Sequence, residues 1–194
     1  MHTAKRKLKS TLTATLALCP LAGWSADPEG GVSPRLVADA VHAVIAADRT
    51  VYTQQVINRL HLEEQVIEVS EHWKDDKALP LPSQMLRMGS ELVAEQEVGL
   101  SYALLSLWPI NKQNGAKTKA EKEGLQQVAD HPDKNFYTEE TLGGQKYLTA
   151  VYPDKAVAEA CVTCHNNHKD TPKKDFKRGD VMGGVVVRIP LGGS

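Results

Sequence analysis

Residues 161–165 read Cys-Val-Thr-Cys-His. Two thiols separated by two residues can each form a thioether to one of the two vinyl groups along one edge of a porphyrin. The histidine that follows then lies under the ring with a nitrogen aimed at the iron. The pattern reads as an attachment site for one covalent haem c, with Cys161 and Cys164 holding the macrocycle and His165 as proximal iron ligand. With 3 Cys and 7 His in 194 residues, a chance match is expected about two times in a thousand. Competing chemistries fit less well. A thioredoxin-like redox pair belongs near a βαβ unit, whereas this motif sits late, among segments that read as antiparallel strands. A zinc site needs about four ligands, and Cys161, Cys164, His165 and His168 are cramped. A Cys161–Cys164 disulfide leaves His165 without a part to play.

The sixth iron position is open at this level. His42, His61 and His72 fall in the first helical stretch, His131 in a loop, and His168 too near His165 to cross to the other face of a ring. Met85, Met88 and Met182 remain, and a thioether distal ligand raises the reduction potential. Methionines at helical spacing on an apolar face are more often core filler.

The N-terminus carries an export address. Lys5, Arg6, Lys7 and Lys9 precede a short apolar stretch, Thr11 to Ala22, and a Gly-Trp-Ser-Ala segment that offers cleavage after Ser25 or Ala26. Residues 1–25 are therefore expected to be a signal peptide and 26–194 a single exported, periplasmic domain. Cys19 follows Ala17-Leu18, without the small residue that a lipoprotein signal places just before its cysteine. Removing the signal leaves 19 basic against 24 acidic residues, a net charge of −5. Neither the whole chain, at −1, nor the processed form shows the basic excess of a nucleic-acid binder. At 41% hydrophobic and 24% charged the composition is that of an ordinary folded domain. No apolar run reaches the roughly 18 residues that a membrane-spanning helix needs.

The elements that must position the motif follow from periodicity. Ser33-Pro34 reads as a helix start, and Leu36, Val37, Ala40, Val41, Val44, Ile45, Val51, Val56, Ile57 and Leu60 recur at three- and four-residue steps to about His72. The prolines of 74–82 break that run. Ser83 is expected to cap a second helix to about Glu97, with Met85 and Met88 on one face. Residues 100–108 read as a strand, 119–129 as a helix, and 135–140 and 145–152 as a hairpin about Gly143-Gly144. Residues 154–160 read as a helical lead into the cysteines, 169–180 as a charged loop and 181–189 as a final strand. N-terminal helices over about 33–98 followed by a sheet-rich part over about 99–191 predict an α+β fold.

The segment from Ala160 to Leu191 resembles a haem-c family with a PAS-like fold, catalogued as a domain of unknown function. That family occurs alone and as the extracytoplasmic sensor part of cyclases and histidine kinases. The resemblance rests on Cys161 to His165, Asn166, His168, Thr171-Pro172-Lys173, Gly179-Asp180-Val181-Met182-Gly183 and Ile189-Pro190. Upstream, Leu79-Pro80-Leu81-Pro82 and Leu105 to Asn111 are similar landmarks, so that it spans about residues 36–191. It implies a PAS-like antiparallel sheet with long N-terminal helices that can pair in a homodimer. In a cyanobacterial-type member the distal ligand is a cysteine from a helix before the sheet, and this chain has none there. The second helix falls near that position, which favours Met88 as distal ligand, with Met85 and then His42 as alternatives.

Three functions are compatible with these residues. One is a redox- or gas-sensing module that passes the state of its haem to a signalling partner. The second is a small periplasmic electron-transfer cytochrome, docking on a redox partner. The third, haem catalysis, needs distal acid–base groups for which no constellation stands out, so no enzymatic activity is expected. Arg188 and Lys173 are candidate partners for haem propionates, with a solvated charge as the commoner role of such residues, and Asp180 either orients a loop beside the haem or makes a plain turn.

Overall fold

The computed structural model describes residues 31–192. The expected signal peptide lies outside them. Helix α1 (Pro34–Val51) starts after Ser33 with Pro34 at its first position, where a missing N–H costs nothing. It does not run as an α-helix to His72. From Tyr52 to Glu63 the chain winds more widely as a π-helix, with the N–H of Glu64 reaching back five residues to the carbonyl of Arg59. Two short parallel strands follow, β1 (Val69–Ser70) and β2 (Leu79–Pro80), so the proline-rich break holds a strand as well as a turn. Helix α2 (Pro82–Glu95) is capped by Gln84, whose side-chain oxygen accepts from the N–H of Leu81 at 2.9 Å, rather than by Ser83.

The sheet comprises β3 (Ser101–Leu105), β4 (Phe136–Leu142), β5 (Gln145–Lys155) and β6 (Val181–Pro190), in the order β3-β6-β5-β4 with every pair antiparallel. Between β3 and β4, helix α3 (Lys119–Asp130) opens on a capping box. Thr118 Oγ1 accepts from the N–H of Glu121, and Glu121 Oε2 accepts from that of Thr118. The hairpin joining β4 and β5 turns at Gly143 and Gly144 with φ of +56° and +85°, which suits glycine. Helix α4 (Glu159–Asn167) follows β5. It starts later than expected, because Asp154 and Lys155 still belong to the strand.

Alternation along the strands gives the sheet two faces. Ala150, Tyr152, Val185, Val187 and Ile189 pack with Ala38, Val37 and Val41 of α1. Leu105, Val151 and Val186 pack with Leu125 and Val128 of α3. A third cluster closes the end of the sheet where β5 gives way to α4: Ala156, Val162, Phe176 and Met182, with Trp108 and Cys161 against it. The layout is α+β, as the order of elements predicts. Among the described residues no helix is long and apolar enough to cross a membrane.

Candidate functional site

On α4 the motif residues stand at i, i+3 and i+4. Cys161, Cys164 and His165 therefore share one helix face, while Val162 turns inward to the third cluster. Cys161 is half-buried, Cys164 exposed, and both are free thiols. His165 is half-buried with the Phe176 ring beside it, centroids 6.2 Å apart and nearly perpendicular. Phe176 in turn meets Trp108 edge-on at 5.7 Å. The two rings form one wall against the motif helix.

The loop after α4 is shaped by the polar residues that the sequence singles out. Asn166 holds both backbone groups of Phe176. Thr171 Oγ1 donates to the carbonyl of Lys173. Asp180 accepts from the N–H of Lys177 through Oδ2, while its carbonyl accepts from the N–H of Ala156. Asp180 therefore makes the turn that leads into β6. Gly183 is fixed by crowding, because a Cβ there would sit 2.5 Å from the carbonyl oxygen of Leu105. Ser106 Oγ donates to the carbonyl of Met182 and accepts from the N–H of Trp108, which sets the indole at the end of β3.

The electrostatics suit a ligating imidazole. Burial is the main cause that lowers the pKa of His165 below its ordinary 6.5. The Asp154 carboxylate opposes the fall, and His168 and Arg49 add to it. At neutral pH the ring is uncharged, with one nitrogen lone pair free. Although Cys164 is exposed as a whole residue, partial desolvation of its sulfur raises the thiol pKa, helped by Glu71 and Cys161, so that sulfur stays protonated. His168 is occupied elsewhere. Its Nδ1 accepts from the N–H of Asp170, and its Nε2 lies 3.5 Å from Glu71.

The distal candidates occupy different places. Met85 and Met88 are half-buried on α2, which packs on β3 and α1. Neither belongs to the apolar cluster around Cys161 and Trp108. Met182 does, buried beside Val162 and Phe176 as core filler. His42, on α1, stacks on Tyr152 with ring centroids 3.9 Å apart. Burial lowers its pKa, against Asp39 and Asp154. Asp154 thus acts on both His42 and His165. Among the described residues, no group of three or more His, Cys, Asp or Glu side chains is arranged to hold a metal ion.

Of the two cations offered for propionates, Arg188 is already taken. Its Nη2 donates to Glu121 at 2.6 Å and its Nε to Glu140 at 2.7 Å, on the α3 face of the sheet. Lys173 stays at the site, its Nζ 5.3 Å from the centre of the Trp108 ring and 5.0 Å from that of Phe176. Sequence reasoning missed Phe176, one of 2 phenylalanines in the chain, and the ion pair between Arg49 and Asp154. The rarity of phenylalanine is a signal that could have flagged the first. A contact spanning 105 positions leaves none for the second.

An antiparallel sheet flanked by helices, with two thiols and a neutral imidazole on one face of a late helix, defines the protein as an α+β domain with a Cys-x-x-Cys-His site. The chain belongs to the Tll0287-like family, described as Tll0287-like: Tll0287, whose profile matches residues 34–190. Among solved structures it is similar to the crystal structure of the cyanobacterial heme-protein Tll0287, at 18% identity and a TM-score of 0.46, over 59% of this chain and 74% of that one. A comparison with curated protein sequences found no match.

Proposed function

We propose that this chain is a periplasmic, single-haem c-type protein that senses redox state or a gaseous ligand and hands the result to a signalling partner. The observation that carries the reading is the common helix face of Cys161, Cys164 and His165 beside the Trp108–Phe176 wall. The donors fit the group: two free sulfurs for thioethers, an uncharged imidazole for the metal, and apolar rings to cover a macrocycle. Membership of the Tll0287-like family, which shares its name with a protein titled a cyanobacterial heme-protein, supports a haem cofactor. When bound, haem c supplies one-electron chemistry and a place for a diatomic ligand. The protein's share is to fix the thioether edge through α4, to aim His165, and to exclude water with Phe176 and Trp108.

In this reading Met88 is the distal ligand, with Met85 or His42 in its place if the donor comes from elsewhere. The sheet lays an N-terminal strand beside the C-terminal one and then a hairpin, which suits the PAS-like description, and α1 across its face suits a signal relay. Exposed Val44 and Val51 on α1 suit pairing with a second copy. The role is non-enzymatic. An electron-transfer cytochrome is the second reading, favoured by the exposure of Cys164, which leaves the thioether edge open to a redox partner.

Optical spectra of the exported protein with and without CO separate the two. A ferrous spectrum that changes on adding CO supports sensing. A six-coordinate ferrous spectrum that ignores CO rejects it in favour of electron transfer.

A further inference from the structure

The last turn of α1 is joined to the end of β5 by an ion pair between Arg49 and Asp154, whose side chains are only 26% and 17% exposed. Alternation puts Asp154 on the same face of the sheet as Ala150 and Tyr152, which is the α1 face. The β5–β6 register shifts just beyond it, between Asp154 and Lys155. The strand then leads through Ala156, packed on Val162, into the helix that carries His165. The Asp154 carboxylate raises the pKa of His165 and the Arg49 guanidinium lowers it. Lys155 is turned away to Asp133, at 2.8 Å. Apolar contacts of Val37, Ala38 and Val41 already seat α1 on the sheet.

We propose that Arg49 and Asp154 are positioning residues that set the reduction potential of an iron on His165 and carry its charge to α1. The inference rests on the reading of His165 as haem ligand. Oxidation of an iron held by His165 would add one positive charge to the metal. A half-buried carboxylate steadies that charge and a half-buried guanidinium opposes it, with little screening by water. The two members of the pair therefore act in opposite directions. Arg49 belongs to α1, so whatever the iron does to the pair is felt by that helix.

Optical redox titration of the haem-loaded protein tests this. Asp154→Asn is expected to raise the midpoint potential and Arg49→Gln to lower it. Each shift should correspond to roughly a tenfold change in the ferric-to-ferrous ratio at a fixed poise, about 59 mV for one electron. Asp154→Glu and Arg49→Lys, which keep the charges, stay near the wild type. A pair that only fastens α1 would move both variants the same way or neither, and that outcome overturns the inference. Should Arg49→Gln fail to fold, Asp154→Asn against Asp154→Glu decides: an upward shift in the first alone supports the inference, and no shift overturns it. Variants that keep their covalent haem and their potential defeat this inference alone. A wild-type chain without covalent haem defeats the reading beneath it as well.

Discussion

Asn166 and Phe176 grip each other twice. Asn166 Nδ2 donates to the carbonyl of Phe176 at 2.9 Å, and Asn166 Oδ1 accepts from its N–H at 3.1 Å. This pair of hydrogen bonds across ten positions holds the backbone from which the Phe176 ring meets His165. Asn166→Ala leaves two part-buried backbone groups without partners and is expected to cost about 2 kcal/mol. Urea denaturation of the haem-free protein reads the loss, and a cost below 0.5 kcal/mol would contradict this role.

Phe176→Ala removes the ring that joins Trp108 to the motif helix. Phe176 is 3% exposed, so a loss of about 3–5 kcal/mol is expected. Phe176→Leu should recover most of the stability but leave the haem face more open. Because the ring stands beside His165, the change in the haem-loaded protein should appear as a shifted iron–histidine Raman band in the photoproduct of the CO complex. An identical band in wild type and Phe176→Leu would argue that the ring does not brace that histidine.

Arg188 ties together Glu121 and Glu140, which are themselves held by the backbone of Thr118 and by Thr149. Arg188→Leu leaves one buried and one half-buried carboxylate without their cation, and a loss of about 3 kcal/mol is expected with no change in the haem spectrum. Hydrogen bonds to Arg188, Thr149 and the backbone hold both carboxyls below the ordinary 4.5, against burial. Their contribution is whole above 4.5 and is lost as pH falls through their lower folded values. A wild-type acid transition no sharper than that of Glu121→Gln would count against this network.

His42 and His165 act on stability near neutrality. Both have folded pKa values below 6.5 because burial disfavours the charged ring. Their contribution is complete above 6.5 and declines as pH drops below it, because the unfolded chain takes up the proton first. Melting of the haem-free Cys161→Ser/Cys164→Ser protein should therefore fall between pH 7.5 and 5.5. His42→Gln should flatten that slope, and an unaltered slope would show that the ring is not desolvated.

The distal ligand is read by a spectral series. Met88→Ala is expected to alter the ferric spectrum more than Met182→Ala does, since Met182 is buried in the core cluster with Val162. An unchanged spectrum for Met88→Ala, together with a change for Met85→Ala or His42→Ala, moves the ligand to that residue.

Much of this arrangement was legible in the chain itself. The Gly143-Gly144 hairpin and the final valine-rich strand follow from side-chain period and from φ. The Thr118–Glu121 box lies at the start of the helix that periodicity places over 119–129. The common face of Cys161, Cys164 and His165 is a matter of spacing once they lie on a helix. What was not legible depends on partners far along the sequence. The change to wider winding at Tyr52 leaves the apolar spacing through Val56, Ile57 and Leu60 intact, so a pattern search runs on to His72. Residues 154–160 read as a helical lead into the cysteines, but pairing of β5 with β6 extends the strand through Lys155. Arg188 reads as a solvated charge until α3 and β4 bring Glu121 and Glu140 to it.

Intact-mass measurement of the denatured, exported polypeptide tests the central claim most directly. The account predicts one species heavier than the processed chain by the mass of a single haem, with the added mass on the peptide that contains Cys161 and Cys164. A polypeptide of unmodified mass, from cells that mature other c-type haem proteins normally, would contradict it.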